Sequence, residues 1–267
     1  MHPSAMTNTQ NFFAAYGNYF KSKKNEKVKV VEIGSQNVNG SIRDCCPEEF
    51  DYIGLDFVQG KGVDIILDDP YCLPFVDQSV DIVVSNSCFE HSEMFWLIFL
   101  EAIRVLKDDG LFLIIAPANG VAHRYPVDCW RFYPDTGRAL ATWANRNGYK
   151  TMMLESYISL QDITPCIPDQ WNDFVSVFLK NSDYKEKHIV RIIDKYKNFT
   201  NGLSNNTNEF IQPNFLSEDQ RKLRVIQECI LNKIDLSSRF DTTSALTEDQ
   251  RKIEVISKIL SNEIRCF

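Results

Sequence analysis

The sequence predicts an α/β protein built on a seven-stranded, mostly parallel sheet with helices on both faces. Short apolar runs rich in β-branched residues recur through the first 180 residues, and segments with helical spacing alternate with them. Alternation of this kind is typical of βαβ units, whose helices cover both faces of a parallel sheet. The 267 residues, 44% of them apolar, are enough for one sizeable core.

Seven short segments are predicted to be strands. They are VKVVEIG (28–34), DYIGLD (51–56), VDIILDD (63–69), SVDIVVSNS (79–87), LFLIIAP (111–117), YKTMMLESYI (149–158) and DFVSVFLK (173–180). Their apolar character fits strands that are buried on both faces. In such a sheet, ligands bind at the carboxyl ends of the strands, so functional residues are expected directly after them.

Three helices are predicted in the same region. Residues 9–20 form an aromatic-rich segment, which places a helical N-terminal part at residues 1–26. Residues 92–110 have Ser92 as a candidate N-cap and Gly110 as a stop signal. Residues 134–148 have a proline near the start and a glycine at the end. The main domain is therefore expected to cover residues 27–180.

Residues 181–267 are predicted to form a helical extension. An internal repeat relates residues 216–234 to residues 246–264, with ten identities over nineteen positions. Each copy opens with a capping box and carries one apolar stripe. Two interpretations are open: antiparallel helices that pack together or on the main domain, or an element that forms a homodimer or docks a partner.

Charge and composition argue against several classes of protein. The net charge of -7 and the pI of about 5.2 disfavour a nucleic-acid partner. The sequence contains no apolar run long enough to span a membrane and no signal-peptide pattern, so a cytoplasmic location is expected. The eight cysteines form no CxxC pair, which favours free thiols. The four histidines lie far apart along the chain, so no metal site is expected.

Acidic residues close the first two predicted strands. Glu32 precedes Gly34 by two positions in VVEIGSQNVNG, which differs from the G-x-G-x-x-G pattern that cradles a pyrophosphate. A carboxylate there suits S-adenosylmethionine, which carries an ammonium and a sulfonium, and Gly34 allows close backbone approach. Asp56 follows Gly34 by 22 residues, where it can accept ribose hydroxyls. The alternatives are a buried Glu32 satisfied by backbone and an Asp56 that caps a helix.

Over residues 27 to about 180 the chain resembles class I S-adenosylmethionine-dependent methyltransferases. VVEIGSQNVNGS is similar to their first motif, YIGLD to the second and DDPYCLPF to the third. VDIVVSNSCFEH and EAIRVLKDDGLFLIIAP are similar to the fourth and fifth. The resemblance implies a Rossmann-like fold with S-adenosylmethionine as cofactor. Gln36 and Val38 occupy positions where many relatives have glycine. The GS-x-x-V-N-G-S pattern is closer to that of a branch of the family often found among enzymes that modify bacterial surface polysaccharides.

The resemblance also implies a role for individual residues at the cofactor. Asp56 would hold the ribose, Phe57 would flank the adenine, and Asp69 would face the adenine amino group. His91 lies where the family often has a histidine near the acceptor, although a helix-start residue with no ligand role is the alternative. The residues assigned to the methionine end are Glu32, Gly34, Ser35, Ser41, Asn86 and Ser87.

Residues 123–134, HRYPVDCWRFYP, follow the fifth predicted strand and are predicted to wall the acceptor pocket. His123 and Asp128 are the candidate bases, with His123 preferred because an imidazole titrates near neutral pH. Arg124 and Arg131 are predicted to grip an anionic acceptor. The predicted aromatic wall consists of Tyr125, Trp130 and Tyr133. The alternative is a segment that only packs, with Trp130 and Phe132 on the sheet and Arg131 facing solvent or Asp128.

The sequence thus predicts an enzyme that methylates an oxygen, or less favourably a nitrogen, of a small polar acceptor. A phosphorylated or sugar-linked molecule fits the two arginines, and capsule or surface-glycan biosynthesis fits the branch. A non-catalytic methyltransferase-like module that acts through its repeated helices is the second hypothesis. A nicotinamide dehydrogenase is the third, and it would need the missing G-x-G-x-x-G pattern.

Overall fold

The computed structural model describes residues 3–22, 27–38, 40–160 and 171–215, together with Gln220 and Leu223. The chain divides into two compact units, and the first contains the described residues up to 214. The repeat at residues 216–234 and 246–264 lies outside the described residues except for those two positions, so its role stays a prediction. Among the described helices, none is long and apolar enough to cross a membrane.

The first unit contains nine strands and four α-helices in its described residues. In chain order they are α1 (Pro3–Lys21), β1 (Lys29–Ile33), β2 (Asp51–Asp56), β3 (Ile65–Ile66), β4 (Val80–Asn86), α2 (Phe95–Val105), β5 (Leu106–Pro117), α3 (Asp135–Arg146), β6 (Met152–Ser159), β7 (Asp173–Leu179), α4 (Ile192–Lys195), β8 (Phe199–Ser204) and β9 (Thr207–Ile211). The sheet order is β3-β2-β1-β4-β5-β7-β6-β8-β9. Neighbours from β3 to β5 are parallel, and those from β5 to β9 are antiparallel.

The sheet is covered by helices on both faces, as predicted. In β5, Leu113 and Ile115 pack in the cluster that includes α1, whereas Phe112 and Ile114 pack in the cluster that includes α2 and α3. This alternation follows from the two-residue period of a strand. It explains why β5 reads as one continuous apolar run in the sequence.

Helix α1 begins earlier than predicted and contributes an aromatic stripe to the core. Phe12, Tyr16 and Phe20 recur every fourth residue, which places them on one helix face, and each is at most 2% exposed. Burial of a large apolar side chain stabilises a fold by about 1.5–3 kcal/mol. The stripe therefore makes the N-terminal helix part of the core.

Helix α2 is shorter than predicted at both ends. It begins after Met94, because a 3-10 turn at Phe89–His91 occupies the preceding residues and Ser92 follows that turn. It ends at Val105, and Leu106 already pairs with Val80 in the sheet. The buried Lys180 ammonium donates to the carbonyl of Leu106 and to that of Arg104, 3.0 Å away. These bonds satisfy carbonyls at the helix end.

The prediction of a seven-stranded sheet followed by a helical extension is wrong for residues 199–211. They form β8 and β9, which extend the sheet to nine strands. The segment FTNGLSNNTNEFI is polar, because β9 lies at the sheet edge and is mostly exposed, so an apolar strand signal is absent. Half of the neighbouring strand pairs are antiparallel, so the sheet is mixed rather than mostly parallel.

Asp173, at the start of β7, gives the fold a pH-dependent stability. Burial raises the pKa of this carboxyl to about 6, although Asn8 Nδ2 donates to it at 3.3 Å. An acid with a raised pKa in the folded state stabilises the fold at low pH, and this contribution is lost as the pH rises through the folded pKa. We expect Asp173→Asn to remove a pH-dependent contribution of about 3 kcal/mol.

Urea unfolding of both proteins between pH 3.5 and pH 8 measures this contribution. The free energy of unfolding of the wild type should fall relative to that of Asp173→Asn, mainly between about pH 4 and pH 7. Parallel pH profiles for the two proteins would contradict the assignment.

Candidate active site

The carboxyl ends of β1, β2, β4 and β5 meet at one edge of the sheet, where the predicted cofactor residues lie. The amides of Gly34 and Ser35 donate to the Leu55 carbonyl, each at 2.9 Å. The amide of Ser87 donates to the Ile115 carbonyl at 2.9 Å. These bonds fix the turns after β1 and β4 on the neighbouring strands, side by side at this edge.

Gly34 is required at the turn after β1 for two reasons. Its φ angle is 82°, in the left-handed region that favours glycine. A Cβ atom here would lie 2.6 Å from Cys88 Cβ and 2.8 Å from its sulfur. The turn after β1 therefore lies in direct contact with the segment after β4.

Glu32 lies on β1 beneath this turn and is 1% exposed. Its Oε2 accepts a hydrogen bond from the Tyr52 hydroxyl at 2.8 Å. Burial raises the pKa of Glu32 to about 7, while the Tyr52 bond and the Arg43 charge lower it. The hydrogen-bond partner of the carboxylate is thus a side-chain hydroxyl, not the backbone group that the alternative interpretation predicted. A contact between Glu32 and the cofactor stays a prediction.

Asp56 closes β2 and turns both carboxylate oxygens toward the loop ends. One oxygen accepts from the Gln36 amide and the other from the Val58 amide, each at 3.2 Å. A carboxylate offers about four acceptor sites, so capacity remains for a ribose diol. The neighbouring Phe57 ring is 51% exposed. Asp69 is also exposed, and its Oδ1 accepts from the Tyr71 amide at 2.8 Å.

Two buried polar atoms in the cleft lack a hydrogen-bond partner within the described part of the chain. They are Ser35 Oγ and Asn86 Nδ2. Buried polar groups normally have partners, so an unpaired hydroxyl and amide at strand ends fit a ligand with polar groups, such as the methionine end of S-adenosylmethionine. Ser87 beside them has a φ of 50°, a strained conformation that is frequent at functional sites. Ser41, in contrast, accepts from the Arg43 amide at 3.2 Å and caps a 3-10 turn.

The loop after β2 contains a functional candidate that was not predicted, a glycine that lies against the turn after β1. Gly62 has a φ of 87°, and a Cβ there would lie 2.9 Å from the Ser35 carbonyl oxygen. The Asn37 amide donates to the Lys61 carbonyl at 2.8 Å, so the two loops run side by side. The QGKG segment after β2 is the sequence feature that indicates this glycine. Gly62 thus allows the loop after β2 to approach the turn that contains Gln36 and Val38.

Residues 123–134, which are predicted to wall the acceptor pocket and are called the acceptor segment below, lie at the same edge of the sheet. The Phe132 amide donates to the Pro117 carbonyl at 3.0 Å, and the Cys129 amide donates to the Glu90 carbonyl at 2.7 Å. The Tyr125 hydroxyl donates to Gln36 Oε1 at 3.1 Å. The segment therefore joins the turn after β4 to the turn after β1.

Part of the acceptor segment serves packing, as the alternative interpretation proposed. Phe132 is buried, and its ring lies 5.0 Å from that of Phe95. The Trp130 indole packs edge-on against Phe95 at 5.3 Å and donates to the Ser92 carbonyl at 2.8 Å. Trp130 remains 36% exposed, and the Tyr125 and Tyr133 rings are more exposed still. Aromatic surface for an acceptor therefore remains at all three predicted positions.

Arg131 and Asp128 form a two-pronged ion pair inside the acceptor segment. Nη1 lies 2.6 Å from Oδ1 and Nη2 lies 2.8 Å from Oδ2, and both nitrogens also donate to backbone carbonyls. Arg131 therefore uses both Nη groups within the loop, while its buried Nε has no hydrogen-bond partner among the described residues. The exposed Arg124 is thus the better candidate for binding an anion. The bond to Arg131 lowers the pKa of Asp128 to about 2, which makes it a poor base. Asp128 Oδ2 accepts from the His123 amide at 2.7 Å and positions that residue.

The fold brings together a cluster that sequence spacing did not indicate. The His91 and His123 rings lie 4.9 Å apart, and one ligand atom from each, with a carboxylate oxygen of Glu90, falls within 4.8 Å of the others. His91 Nδ1 bonds to the Val127 carbonyl, and its Nε2 lies 3.7 Å from Glu90 Oε1. Burial raises the pKa of Glu90 to about 8. The expectation that the histidines lie too far apart for a ligand cluster is wrong, because chain distance does not measure distance in the fold.

Comparison with known proteins gives one family match and several similar folds. Residues 30–114 match a family described as a methyltransferase domain. The fold is similar to 1,6-didemethyltoxoflavin-N1-methyltransferase of Burkholderia thailandensis, solved with 1,6-didemethyltoxoflavin and S-adenosylhomocysteine, with a TM-score of 0.50 and 13% identity over 67% of this chain and 79% of that one. An S-adenosylmethionine-dependent methyltransferase of Archaeoglobus fulgidus has a TM-score of 0.46 and 16% identity over 66% and 94% of the chains.

No curated protein matches the sequence. The family match covers the strands and turns that form the cleft, from β1 to β5. The family match thus relates these elements to a methyltransferase domain, and the solved structure shows a shared fold.

Proposed function

We propose that the protein transfers a methyl group from S-adenosylmethionine to a small polar acceptor held by residues 123–134. The observation that carries this proposal is the bond between Tyr125 and Gln36. It joins the segment that would hold the acceptor to the turn that would hold the cofactor. A group transfer needs both reactants within van der Waals contact, and this arrangement supports such contact.

The proposed cofactor site uses the cleft between the strand ends. Asp56 holds the ribose through its remaining acceptor capacity, and the exposed Phe57 ring covers the adenine. Ser35 Oγ and Asn86 Nδ2 bond to the methionine end, which would give both atoms the partners they lack among the described residues. Asp69 faces the adenine amino group, and Gly34, Ser41, Ser87 and Glu32 shape or support the methionine end.

The proposed reaction is an in-line displacement at carbon. A lone pair of the acceptor oxygen forms the new bond to the methyl carbon, and the methyl–sulfur bond breaks. The electron pair of that bond stays on sulfur, which becomes a neutral thioether, and the acceptor oxygen gives up its proton to His123, the proposed base. The chain's task is to align the oxygen with the methyl group and to exclude water. Oxygen is the proposed acceptor atom, and nitrogen is the second choice.

The acceptor side supports a small molecule that carries an anionic or sugar group. The exposed Arg124 supplies a cation for a phosphate or carboxylate, and the exposed Tyr125 and Tyr133 rings supply flat surfaces that suit a sugar. His91 and His123 line the same space. We include in the proposal a role in capsule or surface-glycan biosynthesis, which rests on the resemblance of the first motif.

Calorimetric titration with S-adenosylmethionine tests the proposal. We expect the wild type to bind, and Asp56→Asn to bind about 10–100-fold more weakly, because a hydrogen bond to a charged group contributes about 1.5–3 kcal/mol. Asp68→Asn is the matched control, since Asp68 is an exposed aspartate near the same edge with no proposed role. Absence of binding to the wild type, or equal weakening in both variants, would overturn the proposed site.

A further inference from the structure

We propose that Glu90, His91 and His123 bind a divalent transition-metal ion, with Zn²⁺ as the first choice, on the acceptor side of the cleft. The three side chains come from the 3-10 turn after β4 and from the acceptor segment. The proposal that an ion binds depends only on these three residues. Its role in catalysis also rests on the proposed methyl transfer.

Glu90 supplies a buried carboxyl group with an oxygen open to a further partner. Its side chain is 1% exposed, and Oε2 has no hydrogen-bond partner among the described residues. A buried polar oxygen without a partner is costly, so the site favours a bound group that would take up this oxygen. The nearby Arg131 pairs with Asp128, and no hydrogen bond joins it to Glu90 Oε2 among the described residues. A divalent cation would displace any proton from the carboxyl group and bind this oxygen.

His91 has its tautomer fixed in the way that metal ligation requires. Its Nδ1 donates to the Val127 carbonyl, so Nε2 carries the lone pair. That Nε2 lies 3.7 Å from Glu90 Oε1. A ligating histidine almost always donates its other ring nitrogen to a carbonyl or carboxylate, and His91 already has this partner.

His123 completes the set from the acceptor segment. Its Nδ1 lies 3.4 Å from the Val121 carbonyl oxygen, 3.5 Å from Asp128 Oδ2 and 3.5 Å from Arg131 Nη2, and the two oxygens can orient the ring when Nδ1 carries its proton. The ring packs edge-on against His91, and against Trp171 at 4.8 Å. Two histidines and a glutamate form one of the donor sets of catalytic zinc sites, which keep a further position open for water or substrate.

Tetrahedral coordination of a zinc ion would require only small movements of the three side chains. Two ligands of a tetrahedral zinc ion lie about 3.4 Å apart, so the Glu90–His91 pair at 3.7 Å is nearly in place. The largest separation in the cluster is 4.8 Å at most. His123 is the residue free to move, since its side chain is 38% exposed and the acceptor segment has no helix or strand there.

An ion at this position would activate the acceptor oxygen. A metal ion lowers the pKa of an oxygen bound to it, so a coordinated hydroxyl can release its proton to water before the methyl group is transferred. His123 then acts as a ligand, and this replaces the role of base that the sequence predicted for it. Asp128 becomes the partner that orients this ligand.

The test is metal binding by the full chain after treatment with EDTA and dialysis. Titration with Zn²⁺ and with Co²⁺, followed by calorimetry and by visible absorption of the cobalt protein, should show one ion per chain. We expect Glu90→Gln, His91→Ala and His123→Ala to weaken binding more than the ~10–100-fold that loss of an outer-shell partner causes. Cys129→Ser is the matched control, because this exposed thiol lies beside the cluster and should not be needed.

Folding of each variant is checked by titration with S-adenosylmethionine in the presence of EDTA, where all should bind like the wild type. Unchanged Zn²⁺ affinity in both Glu90→Gln and His123→Ala would overturn the inference, as would loss of the ion only in Cys129→Ser. If the protein binds the cofactor but no metal ion, the proposed metal site is wrong and the proposed methyl transfer is not affected. If it binds the metal ion but not the cofactor, the proposed methyl transfer is wrong and the metal site is not affected.

Discussion

Gly34→Ala is expected to lose cofactor binding and to destabilise the protein by about 2–4 kcal/mol. The left-handed backbone at this residue costs a non-glycine residue about 1–2 kcal/mol. The added methyl group would also press on the Cys88 side chain at 2.6 Å, and overpacking of this kind costs about 1–3 kcal/mol. The turn and the segment after β4 must separate, and the cleft between them changes shape. Urea unfolding and titration with S-adenosylmethionine measure the two effects.

Gly148→Ala is the matched control. This glycine also has a left-handed φ, of 90°, but a Cβ there would meet nothing within 4 Å. We expect only the backbone cost of about 1–2 kcal/mol and unchanged affinity for S-adenosylmethionine. If both variants lose the same stability and both keep the cofactor, the contact with Cys88 does not constrain the site.

Glu155→Ala is expected to have the largest effect on stability, about 3–6 kcal/mol. The Glu155 carboxylate on β6 is fully buried and accepts from the Tyr16 hydroxyl on α1. It also accepts from the amides of Ile192 and Ile193 at 2.8 and 3.1 Å, at the start of α4. Truncation leaves three buried donors unpaired, at about 1–3 kcal/mol each. This approaches the whole stability of a typical domain.

Urea unfolding measures this loss, with Glu49→Ala as the control. Glu49 forms an exposed ion pair with Lys21 at 2.8 Å, also beside α1, and its removal should change stability little. An unfolding midpoint for Glu155→Ala equal to that of Glu49→Ala would show that α1 and α4 do not depend on the buried carboxylate.

The order of strands and helices in the first 180 residues could be predicted, because each element carries its own signal. Strand β2 has the bounds that the alternation and flanking polar residues predict. The end of α2 could not be predicted, since Leu106 joins the sheet through pairing with a distant strand rather than through a local stop signal. Strands β8 and β9 were missed because an edge hairpin needs few apolar residues.

The cofactor side of the candidate site follows from strand ends, which the sequence marks with Glu32, Gly34 and Asp56. The acceptor side depends on contacts that spacing does not encode. The sequence left open whether Arg131 faces solvent or Asp128, and nothing local shows that His123 meets the Glu90–His91 pair more than thirty residues earlier. These residues could be selected from the sequence, but the chemical role of each depends on the side chains that the fold places next to it.

The aromatic stripe of α1 shows that the segment of recognisable sequence similarity is smaller than the segment that must fold. The family match spans residues 30–114. The core contains Phe12 before that range and Phe199 after it, within a single cluster. Boundaries drawn from the motifs would therefore cut through the hydrophobic core, and a chain shortened to them would lose the packing that α1 supplies.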